Sequence, residues 1–203
     1  MIKVIEDVDI IKEIPNFDLT LIGTNIYCTM SQGVQREIAL NYSYVKEDNL
    51  KTKYGDIAKL GTFIECVRPN EPKIALLFIY RGYFNKKKYK DDETCDYEAI
   101  SNCLKQINHT YRGLNVATTL LGCSRFDGNG KKELVLPIME ECLTDVNVTV
   151  FDYYQKSKAE KLKEFYLKEK EVKKVDYLAY REMVRKRKEE ANERFRRNGI
   201  GRY

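Results

Sequence analysis

The stretch LTLIGTNIYCTMSQGVQREIALNY, from Leu19 to Tyr42, decides how this chain is read. Leu19 to Gly23 is a short apolar run of the length of a buried strand. A polar turn from Thr24 to Gly33 follows, and then Val34, Ile38 and Tyr42 recur at helical spacing. A strand feeding a glycine-containing turn that opens a helix aims unpaired backbone N–H groups outward, the arrangement that holds a phosphate. A plain connecting loop has the same composition, so a single glycine does not decide between the two. The order strand, turn, helix predicts an α/β unit.

On either side of it the same alternation continues. Ile2 to Ile5 reads as an edge strand, followed by the acidic turn Glu6-Asp7-Val8-Asp9. After Tyr42 a polar stretch, Val45 to Lys53, and a loop, Tyr54 to Gly61, lead to two strands, Thr62–Val67 and Ile74–Tyr80. Arg68 to Pro72 forms the hairpin connection between them. The second strand is apolar on both faces, which predicts a central place in the sheet. Arg81 to Lys90 interleaves aromatics with bases, a pattern suited to a nucleotide or to a charged surface loop. A helix capped by Asp96 and closed at Gly113 comes next, then a strand over Val116–Leu121 running into Gly122 to Gly130. Two further apolar-rich segments follow, Leu134–Leu143 and Val146–Phe151.

Composition narrows the class. At 203 residues with 43% hydrophobic and 33% charged content, the chain is a globular protein with one domain and an appendage. No apolar run has the length of a membrane span, and the opening MIKVIED lacks a secretory pattern, so no membrane partner and a cytoplasmic location are expected. Six scattered cysteines without a CxxC pair predict free thiols and no metal site. His109 is expected at a helix end. Residues 155–203 hold 17 Lys and Arg against 9 Asp and Glu, a net of +8, leaving −3 on residues 1–154. Glycine- and proline-free to about Phe195, this tail predicts a basic helical extension over 154–203.

Asn25 followed by Met30-Ser31-Gln32-Gly33-Val34 resembles the first ligand loop of macro domains, where an asparagine precedes Met-Gly-x-Gly-Ile/Val and a helix. Ser31 stands where that family usually has glycine. Gly122-Cys123 resembles the start of the family's second phosphate loop, whereas Ser124-Arg125-Phe126 departs from its glycines. Asp7 falls where a carboxylate of the family accepts from the adenine amino group. Arg81, Tyr83 and Phe84 occupy the place of a lysine-aromatic segment facing the distal ribose. Leu134–Leu143 resembles the family's penultimate helix and Val146–Phe151 its final strand, so the resemblance covers residues 1–153, and it is greatest to the phage and toxin-antidote branch. It implies a three-layer α/β/α fold with a mixed, largely parallel sheet.

The resemblance also implies binding of ADP-ribose or a related nucleotide, with no cofactor, and hydrolysis of an ADP-ribosyl linkage. Asn25 would orient the distal ribose and Asp127 would act as acid or base. Asp7, Met30, Ser31, Gln32, Gly33, Val34, Arg81, Tyr83, Gly122, Cys123, Ser124, Arg125 and Phe126 would line the ligand. A glycohydrolase branch places a lysine in the helix after the first loop, and Ala39-Leu40-Asn41 stand there instead. Two further readings follow: a non-catalytic module that holds a nucleotide, and an interaction protein whose basic tail contacts nucleic acid or a protein. The sequence leaves the oligomeric state open.

Overall fold

The parallel sheet expected from the strand–helix alternation is present in the computed structural model of the chain, which describes residues 2–82, 94–124 and 128–152. In chain order the elements are β1 (Ile2–Glu6), α1 (Ile10–Glu13), β2 (Leu19–Asn25), α2 (Gly33–Asn41), α3 (Ser43–Lys51), β3 (Phe63–Cys66), β4 (Ile74–Tyr80), α4 (Tyr97–Thr110), β5 (Asn115–Thr119), α5 (Lys132–Cys142) and β6 (Asn147–Asp152). The strands form one sheet in the order β1-β6-β5-β2-β4-β3. Neighbours pair in parallel throughout, except that β3 runs antiparallel to β4. The expected helical extension lies outside the described residues.

Alternation along the central strands sorts the side chains into two cores. Leu19 and Leu21 of β2 and Ala75, Leu77 and Ile79 of β4 pack with Ile100, Leu104 and Ile107 of α4 and Val135 and Met139 of α5. Ile22, Ile74 and Leu76, pointing the other way, pack with Ile10 of α1, Ile38 of α2 and Val45 of α3. The sheet is therefore the middle of three layers. Every residue of β2 and of β4 is buried, as a strand covered by helices on both faces requires. β1 lies at one edge, as its alternation predicts, and β3 at the other.

Local signals explain the ends of several elements. The Asp96 carboxylate caps α4 by accepting from the Ala99 N–H at 2.9 Å, and Asp9 caps α1 through Ile11. His109 is exposed in the last turn of α4, and all six cysteines are free. Two expectations need correction. Thr24 and Asn25 belong to β2 and not to the turn after it, because the sheet extends two residues past Gly23. The polar stretch after Tyr42 contains a helix, α3, that turns Tyr44, Val45 and Asn49 inward. No helix among the described residues is long and apolar enough to cross a membrane.

Candidate functional site

Because β1, β6, β5, β2 and β4 are parallel, their carboxyl ends share one rim, and ligands of open α/β sheets bind beyond such ends. The rim runs four strand spacings from Asp7 after β1 to Arg81 after β4, roughly 19 Å at the usual inter-strand distance. Asp7 is exposed, has a left-handed backbone (φ 58°) and donates its N–H to the Asp152 carbonyl. The Asp152 carboxylate beside it is paired with Lys132 at 2.7 Å.

At the centre of the rim, α2 begins at Gly33, whose φ of 53° lies where a side chain is strained. No side chain caps this helix and its first turn carries no acid. Its first N–H groups, those of Gly33 and Val34 among them, have no intrahelical acceptor and meet the positive end of the helix dipole. Ser31 is exposed, and Gln32, Gly33 and Val34 are half-buried. Met30, by contrast, is buried in the core that α2 covers, so its side chain does not face the rim surface. Buried Gln35 accepts from the Thr24 hydroxyl at 3.3 Å and ties the helix to β2.

Asn25, only 4% exposed, spends its whole amide on its own loop. Its Nδ2 donates to the Thr29 carbonyl (3.0 Å) and hydroxyl (2.8 Å), while Oδ1 accepts from the N–H groups of Tyr27 (2.9 Å) and Thr29 (3.3 Å). Two donors and two acceptor positions exhaust what an asparagine offers. The same loop is clasped from outside by a group that sequence reading did not single out. Lys59 donates to the Thr52 hydroxyl at 2.9 Å and to the Cys28 sulfur at 3.3 Å, with its ammonium 4.7 Å from the Phe78 ring centroid. Cys28, whose sulfur enters this clasp, has a left-handed backbone (φ 56°). A lysine 31 residues downstream carries no local signal of this contact.

The second loop is organised around Tyr80. The β2–β4 register shifts after Thr24, so that Asn25 pairs with Tyr80 and Ile79 is the extra residue. This bulge re-aims Tyr80 into the same core as Ile79. Its hydroxyl lies against Gly23, and its ring lies against Gly122 and Gly128. Among its described residues, several N–H groups are spent within the loop or on Tyr97. Cys123 donates to Leu120, Gly128 and Asn129 to Ser124, Gly130 to Gly122, and Lys131 to the Tyr97 hydroxyl. Gly122 (φ 77°) also leaves room for the Cys95 sulfur, which a Cβ would overlap. The glycines that look like a phosphate cradle in the sequence are thus required by packing. A Cβ on Gly128 would come within 2.5 Å of the Tyr80 ring and 2.8 Å of the Gly122 carbonyl. Gly128→Ala is expected to cost about 1–3 kcal/mol, the range for overpacking, measured as a shift in the urea midpoint at unchanged slope.

Cys123 and Ser124 are half-buried at the head of this loop, and Arg81 stands exposed at the end of β4. Burial pushes the Asp96 carboxyl up, but the Ala99 N–H and Arg81 outweigh it and hold the group below the ordinary aspartate value. The structure thus brings Asp7, Ser31 to Val34, Arg81 and Gly122 to Ser124 to one rim. Tyr83, Phe84, Arg125, Phe126 and Asp127 lie outside the described residues.

No protein-family model matches the sequence, and no curated protein does. Solved structures do. A protein of unknown function from Bacteroides thetaiotaomicron superposes with a TM-score of 0.61 at 20% identity, over 75% of this chain and 98% of that one. The macrodomain of Thermus aquaticus DarG gives 0.55 at 13% identity, over 76% and 99%. Thermosipho africanus DarTG, solved in complex with ADP-ribose, gives 0.53 at 14% identity, over 70% of this chain and 39% of that one. At these identities the likeness is one of fold, and the fold is that of the macro domains.

Proposed function

From the macro-domain fold we propose that this protein binds ADP-ribose, or a close nucleotide relative, along the rim of strand ends from Asp7 to Arg81. The observation that carries the reading is the uncapped, acid-free start of α2 at Gly33, beside the Asn25 loop at the middle of that rim. A diphosphate there meets N–H groups that have no intrahelical acceptor, so binding breaks no hydrogen bond of the helix. The complex of Thermosipho africanus DarTG with ADP-ribose supports the choice of ligand. In this reading Asp7 accepts from the base, Gly33 and Val34 hold the diphosphate, and Gly122 to Ser124 flank it.

Holding the nucleotide without chemistry is favoured over hydrolysis by the state of Asn25. An amide that is fully engaged within its own loop has no donor left to orient a ribose hydroxyl. Cleavage of an ADP-ribosyl linkage would then rest on Asp127. A nucleic-acid or protein contact through the basic residues 155–203 would be separate from this site, and no membrane partner is proposed.

Calorimetry against ADP-ribose, its cyclic forms and NAD tests the binding reading. ADP-ribose is expected to bind, and Asp7→Ala to weaken it by about 1.5–2 kcal/mol, the low end for a charge-assisted hydrogen bond at an exposed carboxylate. Ribose 5-phosphate should not notice that change. Absence of binding to every member of the panel would refute the reading. Release of ADP-ribose from a modified substrate, lost in Asp127→Ala, would instead establish hydrolysis.

A further inference from the structure

At the β4 end of the rim an exposed arginine is held by a buried acid. Arg81 follows Tyr80 directly, and its Nε donates to Asp96 Oδ2 at 2.6 Å. The arginine side chain is 68% exposed and the aspartate side chain 8%. Asp96 is fixed on all sides: Oδ1 accepts from the Ala99 N–H, its own N–H donates to the Ile79 carbonyl, and Tyr80 and Cys95 form a β-bridge next to it. Arg81 is fixed as well, since its N–H donates to the Thr94 carbonyl. Among the described residues no other group takes the rest of its guanidinium.

A free surface arginine loses rotamer entropy when it grips an anion. Arg81 has surrendered much of that freedom already, because a helix-anchored carboxylate holds it at Nε. The two terminal nitrogens that remain form one edge of a planar fork, suited to two oxygens of one oxyanion. Arginine stays protonated throughout the ordinary pH range, so this group binds and does not abstract protons. Ile26, whose N–H donates to the carbonyl of the preceding Tyr80, is the neighbour across the sheet, so Arg81 follows the strand end next to the Asn25 loop, at the end of the rim opposite Asp7.

We propose that Arg81 is an oxyanion clamp at the β4 end of the rim, with Asp96 as its positioning residue, and that it selects ligands carrying a phosphate or carboxylate there. The proposal rests on the rim being the ligand site but not on the identity of the nucleotide. It also gives Asp96 a role besides capping α4.

The test is a titration of the full-length protein with inorganic phosphate and, separately, with acetate, followed by the arginine Nε–H resonances in NMR spectra. Arg112, 66% exposed, held at Nε by the exposed Asp145 at 3.3 Å and placed just before β5 at the opposite end of the strands, serves as the reference. A saturable shift at Arg81, with either anion, at about tenfold lower concentration than at Arg112 is expected. Whichever anion saturates first identifies the oxyanion. Equal, non-saturating responses at the two arginines overturn the clamp. Arg81→Lys keeps the charge and loses the fork, and should lose the saturable binding.

Asp96→Asn decides the positioning role. Asparagine still caps a helix, but its single oxygen cannot serve both Ala99 and Arg81, so a modest fall in melting temperature with the fold retained is expected. Removing a negative charge would by itself tighten anion binding; losing the fixed fork weakens it. A several-fold weaker phosphate response in Asp96→Asn is therefore expected, together with faster exchange of the Arg81 Nε–H. Unchanged or tighter binding in that variant overturns the role given to Asp96. Should the protein fail to bind ADP-ribose, the nucleotide reading falls while the phosphate and acetate titrations still decide the clamp.

Discussion

Gly33→Glu is expected to abolish nucleotide binding, by more than about 100-fold or 2.7 kcal/mol, while the protein stays folded. Two properties of the position act together. The backbone there has a φ of 53°, so any Cβ is strained, at roughly 1–2 kcal/mol. That part falls on stability and lowers the melting temperature. The second part falls on the ligand. A carboxylate on the first residue of an uncapped helix is attracted by the same N–H groups and dipole that would receive a diphosphate. The variant would carry its own anion in the site, tethered and at high effective concentration. Gly33→Ala separates the two, because it has the strain without the charge: it should lose similar stability and much less affinity. Calorimetry and thermal melts on both variants give the answer. If Gly33→Glu binds ADP-ribose as the unaltered chain does, the diphosphate does not lie at the start of α2.

What could be read in the sequence was set by how local the physics is. The apolar run Ile74–Tyr80 announced a doubly covered strand because both of its faces are buried, a property of each residue in turn. Asp96 announced a helix start because its hydrogen bond closes within three residues. Thr24 and Asn25 have the polarity of a turn, yet both are buried in β2 with their side chains satisfied by Gln35 and Thr29. α3 carries no clear mark in the sequence, since one of its inward positions is Asn49, fully buried, which breaks the apolar stripe of a helix. The candidate site divides in the same way. Its first loop was visible as Gly33 before a helical pattern. The meaning of Gly122 and Gly128 was not, because their reason is Tyr80, some forty residues away and re-aimed by a one-residue bulge. Nor was the hold of Asp96 on Arg81, which spans fifteen residues with no spacing rule behind it.

Asn25 carries the second large effect, and it falls on a different property from the one the resemblance to macro domains implies. Were the amide free to orient a ribose, Asn25→Ala would slow turnover, spare affinity and leave the melting temperature alone. The geometry predicts another outcome. Removing the side chain deletes four hydrogen bonds at once and strands the N–H groups of Tyr27 and Thr29 in a partly buried loop. Each such loss of a partner costs about 1–3 kcal/mol, and water reaching the loop recovers part of it, so a destabilisation of about 3–4 kcal/mol is expected. The loop that the amide folds leads directly to Gly33, so affinity for ADP-ribose should fall with stability and not separately from it. Asn25→Asp refines the point. It keeps the two acceptor bonds but sets a carboxylate against the Thr29 carbonyl oxygen, in a position only 4% exposed. Its stability should then be no better than that of the alanine variant and should improve as pH falls and the new carboxyl is protonated, since protonation restores one donor toward Thr29. Urea unfolding of both variants between neutral and mildly acid pH measures this. Alanine and aspartate variants as stable as the unaltered chain would mean that the loop holds itself without Asn25, and that the amide is available for the ligand after all.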